Sequence, residues 1–516
     1  MKNKLRRPWE FSFKLTAVYR YIVVMLALPL AGVSLSAAPA RAPKITLVYA
    51  TAETSSSAEV VWTTNTASDS LLQFSTSNPV PAQATQIYLP AQVTLHEIPL
   101  AGLTPGTLYF YKVTSCSKKG CTSATGSFET FPSCPDVVPA VSGNWEKVIS
   151  PNVSVASALN NELLGVTAVS TNDAWAVGWA QDPNGPQFVK RTFIQHFNGS
   201  TWDIVPSPNR TGDVISQLHS VFATSPTDVW AVGFSHNGSL PSRTLIEHWD
   251  GTQWSIASSP SPDKQFNELR GVAALSANDV WAVGFRGGTK SETPIETFIL
   301  HWNGTSWTQV ASPNIPGGAN QLFGITAISA NDIWAVGSAA GEPLALHWNG
   351  SAWSVIPLEV GSGLSTEKLT AVSGKASNDV WAVGEGKGIF TNQTFATIMH
   401  WDGTRWTEKV CRAASSSNPP DGYEGGGADA YFTGVAAAAV DDVWAVGVHG
   451  SGPMILHWDG NAWTAVTHPR AFPNAATLNA VATLSGAGAW SVGIEIEVSS
   501  SGSVSQEKTL IDKYTP

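Results

Sequence analysis

The chain has 516 residues, of which 43% are hydrophobic and 13% charged, and it carries a net charge of −10. That length and apolar content exclude a disordered chain and leave room for two or three domains. Abundant Trp (22) and Gly (45) beside scarce Met (4) suit short strands joined by tight turns.

The first 40 residues read as an export signal, residues 1–40. Lys2, Lys4, Arg6, Arg7, Lys14 and Arg20 form a basic stretch, Tyr21 to Leu35 is uncharged and apolar, and Ala38-Pro39-Ala40 offers a small-x-small cleavage site. The run from Tyr21 to Ala40 is also about long enough to stay as an N-terminal membrane anchor if uncleaved. The Pro, Gly and Ser in its second half favour cleavage, which implies a secreted or cell-surface protein with no span left. The segment carries +5, so its removal leaves −15. Such an acidic surface argues against nucleic acid or anionic lipid as partners.

Residues 43–131 alternate with period two. Glu59 to Thr64 and Leu71 to Thr76 read as strands, and Tyr109, Tyr111 and Val113 share one face of a third. Leu103 and Pro105 turn the chain before it, where a Tyr hydroxyl can return to upstream backbone. Cys116 and Cys121 bracket Ser-Lys-Lys-Gly, so a cross-hairpin disulfide is expected in an exported protein. Cys134 and Cys411 are the other candidates, and spacing alone does not pair them. No Cys-x-x-Cys or paired His accompanies these four, so no metal site is expected.

With Trp62 as the core Trp of its second strand, this segment resembles the fibronectin type III family. Its Leu103-Thr-Pro-Gly-Thr-Leu-Tyr109-Phe-Tyr111-Lys-Val113 is also similar to the N-terminal sandwich of purple acid phosphatases. The Asp-x-His and Gly-Asn-His-Glu motifs of a metallophosphatase occur nowhere in the chain, so that activity is not expected. A spacer or adhesion unit is the ordinary role of such a module.

After a linker (132–142), one phrase recurs through residues 143–516. Asp173-Ala-Trp175-Ala-Val-Gly178 is followed by Asp228-Val-Trp230-Ala-Val-Gly233, by copies centred on Trp281, Trp334, Trp381 and Trp444, and by Gly488-Ala-Trp490-Ser-Val-Gly493. The tryptophans lie 46 to 63 residues apart, the period of a four-stranded propeller blade. Six units carry a complete last hairpin, such as Trp249-Asp-Gly-Thr-Gln-Trp254. The seventh stops after Leu510 to Tyr514, while Gly143 to Val148 supplies an unattached fourth-strand pattern. The expected fold is therefore all-β: a fibronectin type III-like sandwich followed by a seven-bladed β-propeller closed by the two ends of the repeat segment. The blades resemble those of kelch, tectonin and photosystem II assembly-factor propellers, and the hairpin turns resemble the sialidase Asp-box without its Ser. That resemblance implies the fold and assigns no functional residue.

His196, His248, His301, His347, His400 and His457 fall at one position per unit, as do Asp228, Asp279, Asp332, Asp379 and Asp442. Such regular repetition reads as one packing contact or hydrogen bond made repeatedly, not as a metal ring. The sequons at Asn198, Asn303 and Asn349 lie in Asn-Gly turns and read as turn chemistry. The segments after the second and fourth strands vary in length, and binding usually lives on such loops. Trp179, Phe188, Arg191, His236, Arg243, Arg286, Tyr423 and His449 are the candidate ligand contacts. No Gly-x-Ser-x-Gly, His-Glu-x-x-His or phosphate loop appears, and no cofactor is implied. The first strands of the units read as mostly Gly, Val, Ala, Thr and Ser, without an arginine cluster. The expected function is a non-catalytic extracellular protein that binds a glycan or protein through its variable loops. A secreted polysaccharide hydrolase or lyase, which would need acids converging from separate units, and a structural envelope or matrix component are the alternatives.

Overall fold

The computed structural model describes residues 42–516 apart from 53–56, 105–106, 131–143, 154–159, 187, 240, 264, 289–293, 360–363, 389–393, 410–428, 467, 469–474, 485, 487 and 499–504. The signal segment, the linker, Cys134, Cys411 and Tyr423 lie outside the described residues. Every described element is a β-strand.

The N-terminal part is a five-stranded antiparallel array: β1 (Ile45–Ala52), β2 (Ser57–Ser75), β3 (Thr85–Ala101), β4 (Leu108–Ser117) and β5 (Gly120–Glu129). The two strand patterns at Glu59 to Thr64 and Leu71 to Thr76 belong to the single long strand β2. It stays continuous because irregularities at Thr63, Ser68 and Ser70 absorb its bend while it pairs with β3. Alternate residues Ala58, Val60, Trp62 and Leu72 turn inward with Tyr109, Tyr111 and Val113. The Tyr109 hydroxyl accepts the Thr104 backbone N–H (2.9 Å), fastening the corner before β4. Trp62 is buried, stacks on His96 (4.8 Å), and donates its indole N–H to Ser115 (2.8 Å). The Cys116–Cys121 disulfide closes the β4–β5 hairpin.

The rest is a run of four-stranded antiparallel sheets. After β6 (Trp145–Lys147), the first sheet holds β7 (Asn161–Ser170), β8 (Asp173–Gln181), β9 (Lys190–Phe197) and β10 (Trp202–Val205). The second holds β11 (Ile215–Ser225), β12 (Asp228–His236), β13 (Arg243–Trp249) and β14 (Trp254–Ile256), and a Lys190–Ile215 bridge joins it to the first. The third holds β15 (Phe266–Ser276), β16 (Asp279–Gly287), β17 (Glu296–Trp302) and β18 (Trp307–Val310). The fourth holds β19 (Asn320–Ser329), β20 (Asp332–Ala339), β21 (Glu342–Trp348) and β22 (Trp353–Val355). A short β23 (Leu358–Glu359) adds to the edge of the fifth, made of β24 (Leu364–Ala376), β25 (Asp379–Gly388), β26 (Thr394–Trp401) and β27 (Trp406–Glu408). The sixth holds β28 (Ala430–Ala439), β29 (Asp442–His449), β30 (Gly452–Trp458) and β31 (Trp463–Ala465). The last holds β32 (Ala476–Leu484), β33 (Gly488–Val498) and β34 (Ser505–Tyr514), and its fourth strand is β6, with Trp145 opposite Tyr514. Each first strand packs on the first strand of the next sheet, and β32 packs on β7.

The repeated phrase has a physical reason at each position. Its Val and Ala residues are buried between sheets, and its Trp meets aromatic rings of the following sheet. Trp334, for example, lies 4.9 Å from Trp401 and edge-on to Trp406 at 5.3 Å. The Gly answers a bulge. Every first strand carries an extra residue beside the phrase's Gly, at Leu164, His219, Arg270, Phe323, Thr370, Thr433 and Asn479. The bulge drives a first-strand carbonyl onto the paired glycine, where a Cβ would stand 1.9–2.1 Å from that oxygen. No other residue fits.

Candidate functional site

The two ends of the sheets differ in chemistry. At the end with short, similar turns, six histidines each hydrogen-bond one Asp: His196–Asp173 2.9 Å, His248–Asp228 2.6 Å, His301–Asp279 2.8 Å, His347–Asp332 2.9 Å, His400–Asp379 2.8 Å and His457–Asp442 3.0 Å. In four sheets the same Asp oxygen also accepts the phrase's indole N–H, from Trp281, Trp334, Trp381 and Trp444. Each imidazole lies against the Trp ring of its own sheet, 4.0–4.4 Å between centroids. In the last sheet Gly488 and Lys513 occupy the Asp and His positions, and Lys513 sits 5.2 Å from the Trp490 ring. Among the described residues no group of three His, Cys, Asp or Glu converges as a metal site would require.

The opposite end carries the variable loops, fastened by a second recurring device that sequence reading missed. The segment after the fourth strand is clipped to a Thr of the third. Thr192 N–H reaches Asn209 (3.1 Å), Thr244 N–H reaches Ser261 (3.1 Å), Thr297 N–H reaches Asn314 (2.8 Å) and Thr509 N–H reaches Asn152 (2.9 Å). The same Thr hydroxyls meet Ser207, Ser259, Ser312 and Ser150. The recurring Ser-Pro-Asn at 150–152, 207–209 and 312–314 is its sequence signal. The fourth to sixth sheets carry Pro343, Ala396 and Pro453 at the Thr position.

The candidate contacts are distributed over this end. Arg191 reaches Asp182 (2.9 Å) and the Asp213 carbonyl (2.7 Å), and Arg243 ion-pairs with the Asp213 carboxylate, so these two converge on one buried acid. Arg286 bridges Asp263 (2.9 Å) and Glu296 (2.8 Å). These three guanidiniums organise loops. Phe188 stands exposed. His236 accepts the Gly238 N–H at Nδ1 (3.1 Å) with its ring parallel to Phe234, and His449 ends β29 opposite Gly452. Trp179 is buried in β8 and donates its indole N–H to Glu162 (2.8 Å).

Trp179 belongs to a cluster that sequence reading otherwise overlooked, where β7, β11 and β15 begin. The Lys190 ammonium lies 3.3 Å from the centroid of the Trp179 ring. Asn479, the bulge residue of the last sheet, donates to Glu162 (3.2 Å) and to the Leu163 carbonyl (2.8 Å). Burial pushes the Glu162 carboxyl above the ordinary range, the Glu507 charge adding to it against hydrogen bonds from Trp179 and Asn479. Burial also lowers the Lys190 ammonium. In the neighbouring first strands, Arg270 Nη1 lies 3.2 and 3.4 Å from the two ring nitrogens of His219 and Nη2 donates to Glu268 (2.7 Å). Phe234 and Phe285 flank the guanidinium at 5.8 and 5.5 Å. Burial, then the charges of Arg270 and Lys190, holds His219 well below its ordinary range and therefore neutral. The first strands are mostly small residues, and Arg270 is an exception that the bulge accounts for: the extra residue escapes the repeat pattern. Its identity changes from Leu164 to His219, Arg270 and Phe323 while its neighbours recur, and that variation is the signal.

The purple acid phosphatase N-terminal domain family matches residues 43–130, the sandwich segment. No curated protein matches the chain. Among solved structures, the chain is similar to U3-55K at 11% identity and a TM-score of 0.46, over 73% of this chain and 100% of that one. It is also similar to an ulvan lyase of polysaccharide lyase family PL25, in two structures at 10% and 9% identity, each with a TM-score of 0.40 over 72% of this chain and 95% of the other. Among the described residues no helix is long and apolar enough to cross a membrane.

Proposed function

We propose that this protein is a non-catalytic extracellular binding protein, in which a fibronectin type III-like sandwich (43–131) carries a closed seven-bladed propeller (143–516) that seats a glycan on its variable-loop face. The ring reading is supported by the successive packing of first strands, by β32 against β7, and by β6 completing the last sheet. The signal pattern in residues 1–40 supports secretion.

The observation that carries the binding reading is the cluster of Trp179, Lys190, His219, Phe234 and Arg270 at the loop end of the first strands, the mouth of the proposed channel. Aromatic faces, fixed cations and carboxylates with hydrogen-bonding capacity are the groups that recognise a sugar ring and its hydroxyls. The clipped loops of the first, second, third and last sheets border that mouth and hold it in one geometry.

The test is co-sedimentation of the purified protein with a panel of insoluble polysaccharides and cell-wall material, with the supernatant assayed for released sugar. Retention without release is expected. Release of sugar would overturn the non-catalytic reading and direct attention to Glu162, the acid of the mouth whose carboxyl is pushed upward. Loss of retention in every case would sink the glycan reading.

A further inference from the structure

Among the described residues, Lys190 pairs with an aromatic face instead of a carboxylate and Arg270 keeps one donor unused. Among the described residues no carboxylate lies within ion-pairing distance of Lys190 Nζ, which rests on the Trp179 ring. Arg270 spends Nη2 on Glu268, turns Nη1 toward both ring nitrogens of His219, and keeps a buried Nε–H with no acceptor. A buried donor without an acceptor costs free energy that an arriving oxygen would recover. Lys190 pairs with Ile215 at the start of β11, and Arg270 Nη1 reaches His219 (3.2 Å) on that same strand, so both cations lie at one end of β11. Glu162, tied to Trp179 and Asn479, and Glu268, tied to Arg270, stand beside them as acceptors.

We propose that this mouth is the seat of an acidic sugar, with the carboxylate of the sugar held by Lys190 and Arg270. The assignment rests on the glycan-binding reading above and narrows it to carboxylate-bearing polysaccharides. A planar, singly charged carboxylate offers two oxygens to two donors. The neighbouring acids Glu162, Glu268 and Glu507 oppose a more highly charged group such as phosphate. Those same carboxylates accept hydrogen bonds from the sugar hydroxyls.

The experiment is affinity electrophoresis of the purified protein through gels containing polygalacturonate, alginate or hyaluronan, each also in its methyl-esterified form, with dextran sulfate and neutral glucan as controls. At least one acidic polymer retards the protein, and esterification, which removes the charge and leaves the backbone, weakens binding by about tenfold or more. Lys190→Gln and Arg270→Gln each weaken it similarly. Lys190 stands on β9, between β8 and β10, and Lys190→Gln, with its melting curve recorded, carries the test if Arg270→Gln perturbs folding. Equal retardation by esterified and free polymers, or by dextran sulfate regardless of either substitution, overturns the proposal. Retention on neutral glucan alone overturns it and leaves the broader glycan reading standing. No retention by any polymer overturns both.

Discussion

The two ends of the repeated sheets obey different rules. At the short-turn end, one constellation of Asp, His and Trp is copied six times with hydrogen bonds of 2.6–3.0 Å. At the loop end, the bulge positions carry Leu164, His219, Arg270, Phe323, Thr370, Thr433 and Asn479; Thr370, Thr433 and Asn479 each donate to a carbonyl of the next first strand, whereas His219 and Arg270 turn to one another. Repetition therefore marks what every sheet must do to pack on its neighbour, and departure from repetition marks what only one place in the molecule does. Substitutions at the first end should change stability, and those at the second should change binding.

The sharpest separation comes from tryptophans. Trp334 is buried against Trp401, Trp406 and His347, and Trp334→Ala should cost roughly 3–5 kcal/mol through the cavity it leaves. Trp179 is also buried, but it packs at the loop end against Lys190 and Glu162. Trp179→Phe should therefore cost far less and impair ligand retention instead. Thermal denaturation beside the binding assay measures both. If Trp179→Phe melts as early as Trp334→Ala and binds normally, the division between the ends fails.

The next effect isolates the copied acid. Asp379 accepts from Trp381 (3.0 Å) and His400 (2.8 Å) while largely buried. Asp379→Ala leaves both donors unpaired and should cost about 2–3 kcal/mol in urea denaturation. Asp379→Asn keeps an acceptor oxygen and should recover part of that. Equal losses for Ala and Asn would mean that the space filled, not the hydrogen bonds, is what the repeat preserves.

How much of this is legible in a sequence follows from the same division. The Trp-Ala-Val-Gly phrase, the Asp-Gly turns and the Tyr109 corner are local signals, and each maps onto a strand, a hairpin or a hydrogen bond that one stretch of chain can specify. The Cys116–Cys121 pair is legible for the same reason, since both partners sit on one hairpin. β2 is not, because its pairing with β3 breaks between Thr63 and Ser68 and resumes beyond, so two separate strand patterns belong to one strand. The mouth is not either. Glu162 and Asn479 are 317 residues apart, and Arg270 and His219 are 51 apart; only packing of successive first strands brings them together. A bulge residue has no fixed side in the alternation, so periodicity misplaces it.

The clip tests whether the loop end is fixed by copied parts of its own. Asn314→Ala removes the acceptor of Thr297 N–H and should cost about 1 kcal/mol. Its larger signature should be faster amide exchange confined to residues following β18. Exchange that spreads through the third sheet would show that the clip supports the sheet and not the loop.

The smallest effect is a pH dependence at the copied turns. In Asp250 one carboxylate oxygen accepts Thr252 N–H, Thr252 hydroxyl and Gln253 N–H, and Asp402 does the same with Thr404 and Arg405. These bonds, led by the Thr hydroxyl, lower both carboxyls from 3.8 to about 2. A carboxylate with a lower value folded than unfolded stabilises the fold above the unfolded value near 4, and that contribution disappears as pH falls through about 2. Both groups face solvent, so screening keeps the effect small. Asp250→Asn, which installs the Asn-Gly turn already present at Asn198, Asn303 and Asn349, should move the melting temperature at pH 7 by less than about 2 °C. The same variant should flatten the fall in stability between pH 4 and 2, which melting curves across that window would reveal. A loss as steep as in the unsubstituted protein would place the acid sensitivity elsewhere, in carboxylates such as Asp442, whose value His457 lowers by its hydrogen bond.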